Sequence, residues 1–231
     1  VAAAGASDAA ERGVAVDALV RLYWRPAYGR LRIKWGLQPA DAEDRVQDFF
    51  AGLLDGEVFA GYDPGRSRFR TYLRACLDRF AAKAHRAAYR LKRGGGATHL
   101  SLDFAGAERE LGVAGAHADA DAWFDREWVR ALLSHAVEEL RIQTRDTPRE
   151  IRFLVLQCYD LHPVNDGARP GYREIAEGFD LPLTQVTNHL AWARRELRRL
   201  VLARLAEVTG SDAELREEAE ELFGVSPSDP S

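Results

Sequence analysis

The stretch YREIAEGFDLPLTQVTNHLAWARRELRRL, Tyr172 to Leu200, decides how the chain is read. Ile175, Ala176 and Phe179 make one apolar face. Val186, Leu190, Ala193, Leu197 and Leu200 make a second, at spacings of four, three, four and three, the period of a buried helix stripe. Between the two faces, GFDLPL must turn sharply. Asp180 falls where a left-handed residue is expected; glycine is the usual solution, but aspartate tolerates that conformation. Ala176 is small enough for two helices to cross closely. Pro182 opens the second helix, where a missing N–H costs little. The pattern predicts a helix-turn-helix.

The second helix then presents Thr184, Gln185, Thr187, Asn188, His189 and Trp192 outward. Glutamine and asparagine can pair bidentately with adenine edges in a major groove, and a threonine methyl can meet thymine. Arg194, Arg195, Arg198 and Arg199 are placed for phosphates. The alternative is an amphipathic core helix with a solvated polar face, a common arrangement that the pattern alone does not exclude.

The rest of the chain sets the context. Its 231 residues suit one large domain or two small ones, and 46% hydrophobic residues suffice for packed cores. The net charge of −4 conceals segregation: ten Lys/Arg and one acid, Asp78, lie between Arg66 and Arg93, whereas Asp212 to Glu221 holds six acids and Arg216. A local basic stripe, not the net charge, is the footprint for a polyanion. Cys76 and Cys158 form no CxxC, and the six histidines show no ligand spacing. Neither a disulfide framework nor a metal site is expected, and a reducing cytoplasm fits. No run approaches the ~20 apolar residues that span a bilayer. The N-terminal residues lack the charged-then-apolar order of a secretory signal and read as a disordered lead-in, 1–14. There is no GxxxxGK[ST], HExxH or nucleophile elbow; Gly94–Gly96 follows a helix, not a strand, and reads as linker. No catalytic role and no cofactor is expected.

Nearly every periodic segment has helical spacing, so the expected fold is all-α: two small helical domains joined by a flexible linker. A first helix is expected from about Val16 to Trp35, with a kink at Pro26. A second starts at Pro39 and carries Asp41, Glu43 and Asp44 at its positive dipole end. GYDPGRS, Gly61–Ser67, is a turn. A third helical block runs from Phe69 to Lys92. The first domain is expected over 15–93. A Gly/Ala-rich linker follows over 94–122, and the helix-turn-helix domain over 123–208. An acidic tail, 209–231, includes a short helix, Asp212–Phe223.

Two further stretches carry chemistry. DAEDRVQDFFAGLL, Asp41–Leu54, is by itself a capped amphipathic helix with a solvated acidic face. FRTYLRACLDRFAAKAHRAAYRLKRGGG, Phe69–Gly96, interleaves Tyr72, Phe80 and Tyr89 with a basic series that starts at Arg68. Aromatics in a basic groove suit single-stranded DNA; the plain alternative is core aromatics with solvated cations, and Phe69, Leu73 and Leu77 look buried.

In this order and spacing, YWRPAYGRLR, DAEDRVQDFFAGLL, DPGRSRFRTYL, KRGGGATHLSLD, the helix-turn-helix and DAELREEAEELF resemble the two-domain, extracytoplasmic-function type of bacterial RNA polymerase sigma factor, over about Leu19 to Phe223. Arg45, Asp78, Asp180 and Trp192 depart from the family's usual residues. The resemblance implies that the first domain docks on core RNA polymerase through Asp41, Glu43, Asp44, Gln47, Asp48 and Phe50. It also implies that this domain melts the promoter −10 element, holding a single strand on Arg68, Arg70, Tyr72, Arg79, Lys83, Arg86, Tyr89 and Arg90. Captured bases at ~1–3 kcal/mol each can offset stacking of roughly 1.4 kcal/mol per step. The second domain reads the −35 element as duplex through Thr184, Gln185, Thr187, Asn188, His189, Trp192, Arg194, Arg195 and Arg198. The partners so implied are core polymerase and promoter DNA, with no membrane; an anti-sigma factor or regulatory kinase fits the same picture. The acidic tail reads either as a solvated helix capping the second domain or as a DNA mimic over the basic faces. The rival to the whole reading is a helix-turn-helix regulator that binds duplex without polymerase; a nucleic-acid enzyme and a protein-interaction adaptor fit the residues less well.

Overall fold

A computed structural model of the chain describes residues 9–54, 59, 61–88, 102–114, 119–161 and 169–224. Among the described residues the secondary structure is entirely helical: α1 (Ala9–Lys34), α2 (Pro39–Leu54), α3 (Phe69–Ala88), α4 (Phe104–Ala114), α5 (Ala120–Thr144), α6 (Glu150–Tyr159), α7 (Tyr172–Gly178), α8 (Leu183–Val208) and α9 (Asp212–Phe223). None of these helices is long and apolar enough to cross a membrane. They divide into two compact units. One comprises the described residues up to Leu132 together with those from Leu205 onward; the other is Leu133–Arg204.

The first unit is built on α1, which packs against α2, α3 and α4. Tyr23, Tyr28 and Leu31 of α1 meet Phe50 and Leu53 of α2, Phe69 and Leu73 of α3, and Phe124 and Trp128 of α5 in one buried core. Each fully buried side chain of this kind contributes about 1.5–3 kcal/mol. Helix α1 runs through Pro26 as one element and starts at Ala9, inside the expected lead-in. Gly29 is there for close approach: a Cβ on it would lie 2.0 Å from Trp123 Nε1.

Three expectations about this unit change. Part of the expected linker is helix α4, with Phe104 and Ala107 buried. Phe104 packs on Trp24 and Tyr28 at ring distances of 5.4 and 5.2 Å. Tyr28 Oη and Arg32 Nε donate to Glu108 at 2.8 and 2.9 Å. Asp103 caps α4 by accepting the Gly106 N–H at 2.9 Å. Second, Trp123, Phe124 and Trp128 belong to the core of this unit, not to the expected C-terminal domain. Third, α9 also belongs to this unit. Its bounds are those read from the sequence, but Glu214, Glu218 and Ala219 are buried, so it is not a solvated helix capping the second domain.

In the second unit α6, α7 and α8 surround Phe153, Leu156, Ile175, Val186, Leu190 and Leu200, all buried. Helix α7 begins with Glu174 reaching back to accept the Gly171 N–H at 2.6 Å. It ends in a turn where the Leu181 N–H donates to Ala176 O at 2.8 Å. Asp180 adopts φ 53°, the left-handed conformation expected of it. The Pro182 carbonyl then accepts the Gln185 N–H at 2.8 Å and starts α8.

Candidate nucleic-acid interface

Helix α3 carries the basic residues of the first unit, and its two ends are treated differently. At its start, Glu214 of α9 accepts the Phe69 N–H, and it accepts the Tyr62 hydroxyl and Gly210 N–H at 2.7 Å each. A carboxylate on the first turn satisfies an orphan donor and faces the positive end of the helix dipole. Beside it, Arg68 Nε lies 3.1 Å from Glu217 Oε2, and Arg68 Nη1 pairs with Glu221 and lies 3.7 Å from Glu218. Arg70 is only 7% exposed. Its guanidinium sits 4.5 Å from the Trp128 ring centre and pairs with Glu218, Glu221 and Asp125 at 3.1, 3.3 and 3.4 Å. Glu218 Oε2 lies off the hydrogen-bond direction of Arg70 and has no hydrogen-bond partner among the described residues. Burial accordingly pushes the Glu218 carboxyl up, against the pull of Arg70 and Arg68. Arg70 is a structural cation, not an exposed strand contact.

Further along α3 the charges are open. Tyr72, Arg79, Lys83 and Arg86 are seven, four and three residues apart, which places them on one face. The three cations are exposed and pair with no carboxylate among the described residues. Arg79 lies 5.9 Å from the Tyr72 ring centre, and Tyr72 is half-buried against Tyr62 at 5.3 Å. Burial, with the Cys76 thiol next, pushes the Tyr72 hydroxyl up to about 12, so it stays neutral. Tyr89 and Arg90 lie outside the described residues. Asp78, the one acid of the block, faces inward. It accepts Arg30 Nε and Nη2 at 2.9 and 2.7 Å, Lys34 at 2.7 Å and Trp35 Nε1 at 3.1 Å. Burial raises its carboxyl, but these donors outweigh burial and hold it at about 2.

On α2, Asp41, Asp44 and Asp48 are exposed and Glu43 is half-buried, leaving an acidic face. Gln47 and Phe50 are not part of it. They are 6% and 1% exposed, because positions three apart fall on the same row as Val46 and Leu53, against the core.

In the second unit, Thr184, Gln185, Thr187 and Asn188 are all exposed on the first two turns of α8, opposite buried Val186 and Leu190. Thr187 Oγ1 donates to Thr184 O at 2.8 Å. His189 and Trp192 are half-buried. Arg194 is held by Asp160, which accepts its Nε at 2.7 Å and Nη2 at 2.9 Å, and which also accepts Arg169 at 2.9 Å. Arg195 is exposed and Arg198 half-buried.

Two residues here escaped the sequence reading. Arg152 and Arg149, at the start of α6, lie 4.7 and 5.8 Å from the Trp192 ring centre. They give that aromatic a cationic surround. Burial, then the Arg152 charge, lowers the His189 imidazole from its ordinary value. The signal was a basic pair opening a helix in PREIR, but only the fold brings it to Trp192. No family model, curated protein or solved structure matches the chain.

Proposed function

We propose that this chain is a bacterial sigma factor of the extracytoplasmic-function type, one that binds core RNA polymerase and directs promoter recognition, melting and initiation. The observation that carries the reading is the start of α8. Four neutral polar side chains stand exposed on two turns that a tight, left-handed turn and a buried apolar row hold in place. This arrangement supports the reading of a helix-turn-helix that meets base edges in a major groove. Arg195, Arg149 and Arg152 supply phosphate charge around it. The Arg79–Lys83–Arg86 stripe beside Tyr72 supports single-strand capture in the first unit. The acidic face of Asp41, Asp44 and Asp48 suits a basic docking partner, and charges at such a rim mainly set encounter rate and specificity.

The rival regulator shares the duplex-reading helix but has no use for polymerase. Reconstitution with core enzyme and run-off transcription from genomic DNA separates the two. Asn188→Ala should lose promoter choice while still binding polymerase, and Asp44→Arg should weaken polymerase binding. Duplex binding without any polymerase dependence of transcription would leave the regulator standing.

A further inference from the structure

We propose that the acidic helix α9 is an internal competitor for DNA, its outer carboxylates Glu217 and Glu221 holding the Arg68 guanidinium that a strand phosphate would otherwise take. The inference rests on reading α3 as a single-strand site and adds its regulation.

Helix α9 presents two rows of acids, each spaced four residues apart. The inner row, Glu214 and Glu218, is buried and fastens the helix to the unit. The outer row, Glu217 and Glu221, keeps 58% and 53% of its side-chain surface in solvent and meets Arg68. An ion pair this exposed is worth only ~0.2–1 kcal/mol, so a polyanion can displace it. The inner row does not have to move when it does. Arg68 can therefore exchange carboxylate for phosphate while α9 stays docked.

The competition is local. Arg68 and Arg79 are eleven residues apart, roughly 16 Å along a helix at ~1.5 Å per residue. That exceeds the Debye length of ~8 Å at physiological salt, so α9 leaves the Arg79–Lys83–Arg86 stripe largely unscreened. The arrangement gives weak basal capture on the open stripe and one further phosphate contact once the outer carboxylates are outcompeted.

The test uses the full chain and a fluorescein-labelled oligothymidylate, with affinity read by anisotropy across a salt series. Glu217→Gln with Glu221→Gln leaves the inner row in place; Glu221 also pairs with Arg70, which keeps Glu218 and Asp125, and thermal unfolding checks that the fold is retained. The expected result is three- to tenfold tighter binding and a salt slope steeper by about 0.7, one phosphate more on a single strand. Adding Arg68→Ala should abolish the gain. Wild-type binding that depends on Arg79 and Lys83, with no gain in the double variant, would overturn the competitor and leave the α3 reading intact. No binding by either protein would overturn both.

Discussion

Helix α3 and helix α8 both look basic and polar in sequence, yet the fold treats them in opposite ways. At the start of α3, Arg68 and Arg70 are gripped by Glu217, Glu218, Glu221 and Asp125, and Arg70 is sealed against Trp128. At the start of α8, Thr184, Gln185, Thr187 and Asn188 are exposed. Charges on α3 are first of all architecture, and only its later turns are open. The neutral side chains at the start of α8 stay exposed, with Thr187 hydrogen-bonding only within its own helix at 2.8 Å, and the proposed reading uses them for recognition. Net charge is thus a poorer guide to a binding face than whether a polar group already has an internal partner.

The largest effect on this difference is expected at Glu214. Glu214→Ala leaves Phe69 N–H, Gly210 N–H and Tyr62 Oη without their acceptor, and should cost about 3 kcal/mol or more in urea unfolding. A loss no larger than that of a surface substitution would mean α9 is not anchored there.

Acid titration sharpens the same point. Asp78 is held at about 2, below its ordinary 3.8. Its contribution, on the order of 2 kcal/mol, is complete above about pH 4 and is lost as the pH falls towards 2. Glu218 has the opposite sign: its carboxyl is raised, so protonating it on acidification favours the folded state. Asp78→Asn should therefore flatten the acid limb of the stability curve, measured by circular dichroism. An unchanged limb would remove Asp78 from the account.

A smaller effect is expected at Asp160, the clamp on Arg194. Asp160→Asn should lower stability by under about 1 kcal/mol, the value of an exposed pair. It should tighten duplex binding modestly by releasing Arg194. Weaker duplex binding would show that the clamp orients Arg194 for DNA. Smallest for stability is Asn188→Ala, within about 0.5 kcal/mol of wild type. The same change should lose about 1–3 kcal/mol of discrimination at one promoter base pair, read by competition between duplexes. Equal discrimination would take Asn188 out of base reading.

Local signals made much of this legible. The 3.6-residue period located α8, and the chemistry of a tight turn placed Asp180 at positive φ. What stayed hidden depends on long-range pairing. Nothing near Glu214 announces that its partners are Tyr62 and Phe69, 152 and 145 residues away. Helix α4 was obscured by small residues that give little periodicity, although Asp103 preceding Phe104 was a readable cap. Gln47 and Phe50 entered the docking set through the family resemblance, whereas the helical row puts them inside.

On the proposed function, the open stripe of α3 and the open tip of α8 hold different forms of the same promoter. The direct measurement is permanganate reactivity of promoter thymines with core polymerase, chain and duplex template. Reactive, unpaired thymines near the start site are expected only when the chain is present. Arg79→Ala with Lys83→Ala should abolish them while upstream duplex protection persists. Upstream protection and thymine reactivity both unaffected by that variant, or no opening at all with the wild-type chain, would contradict it.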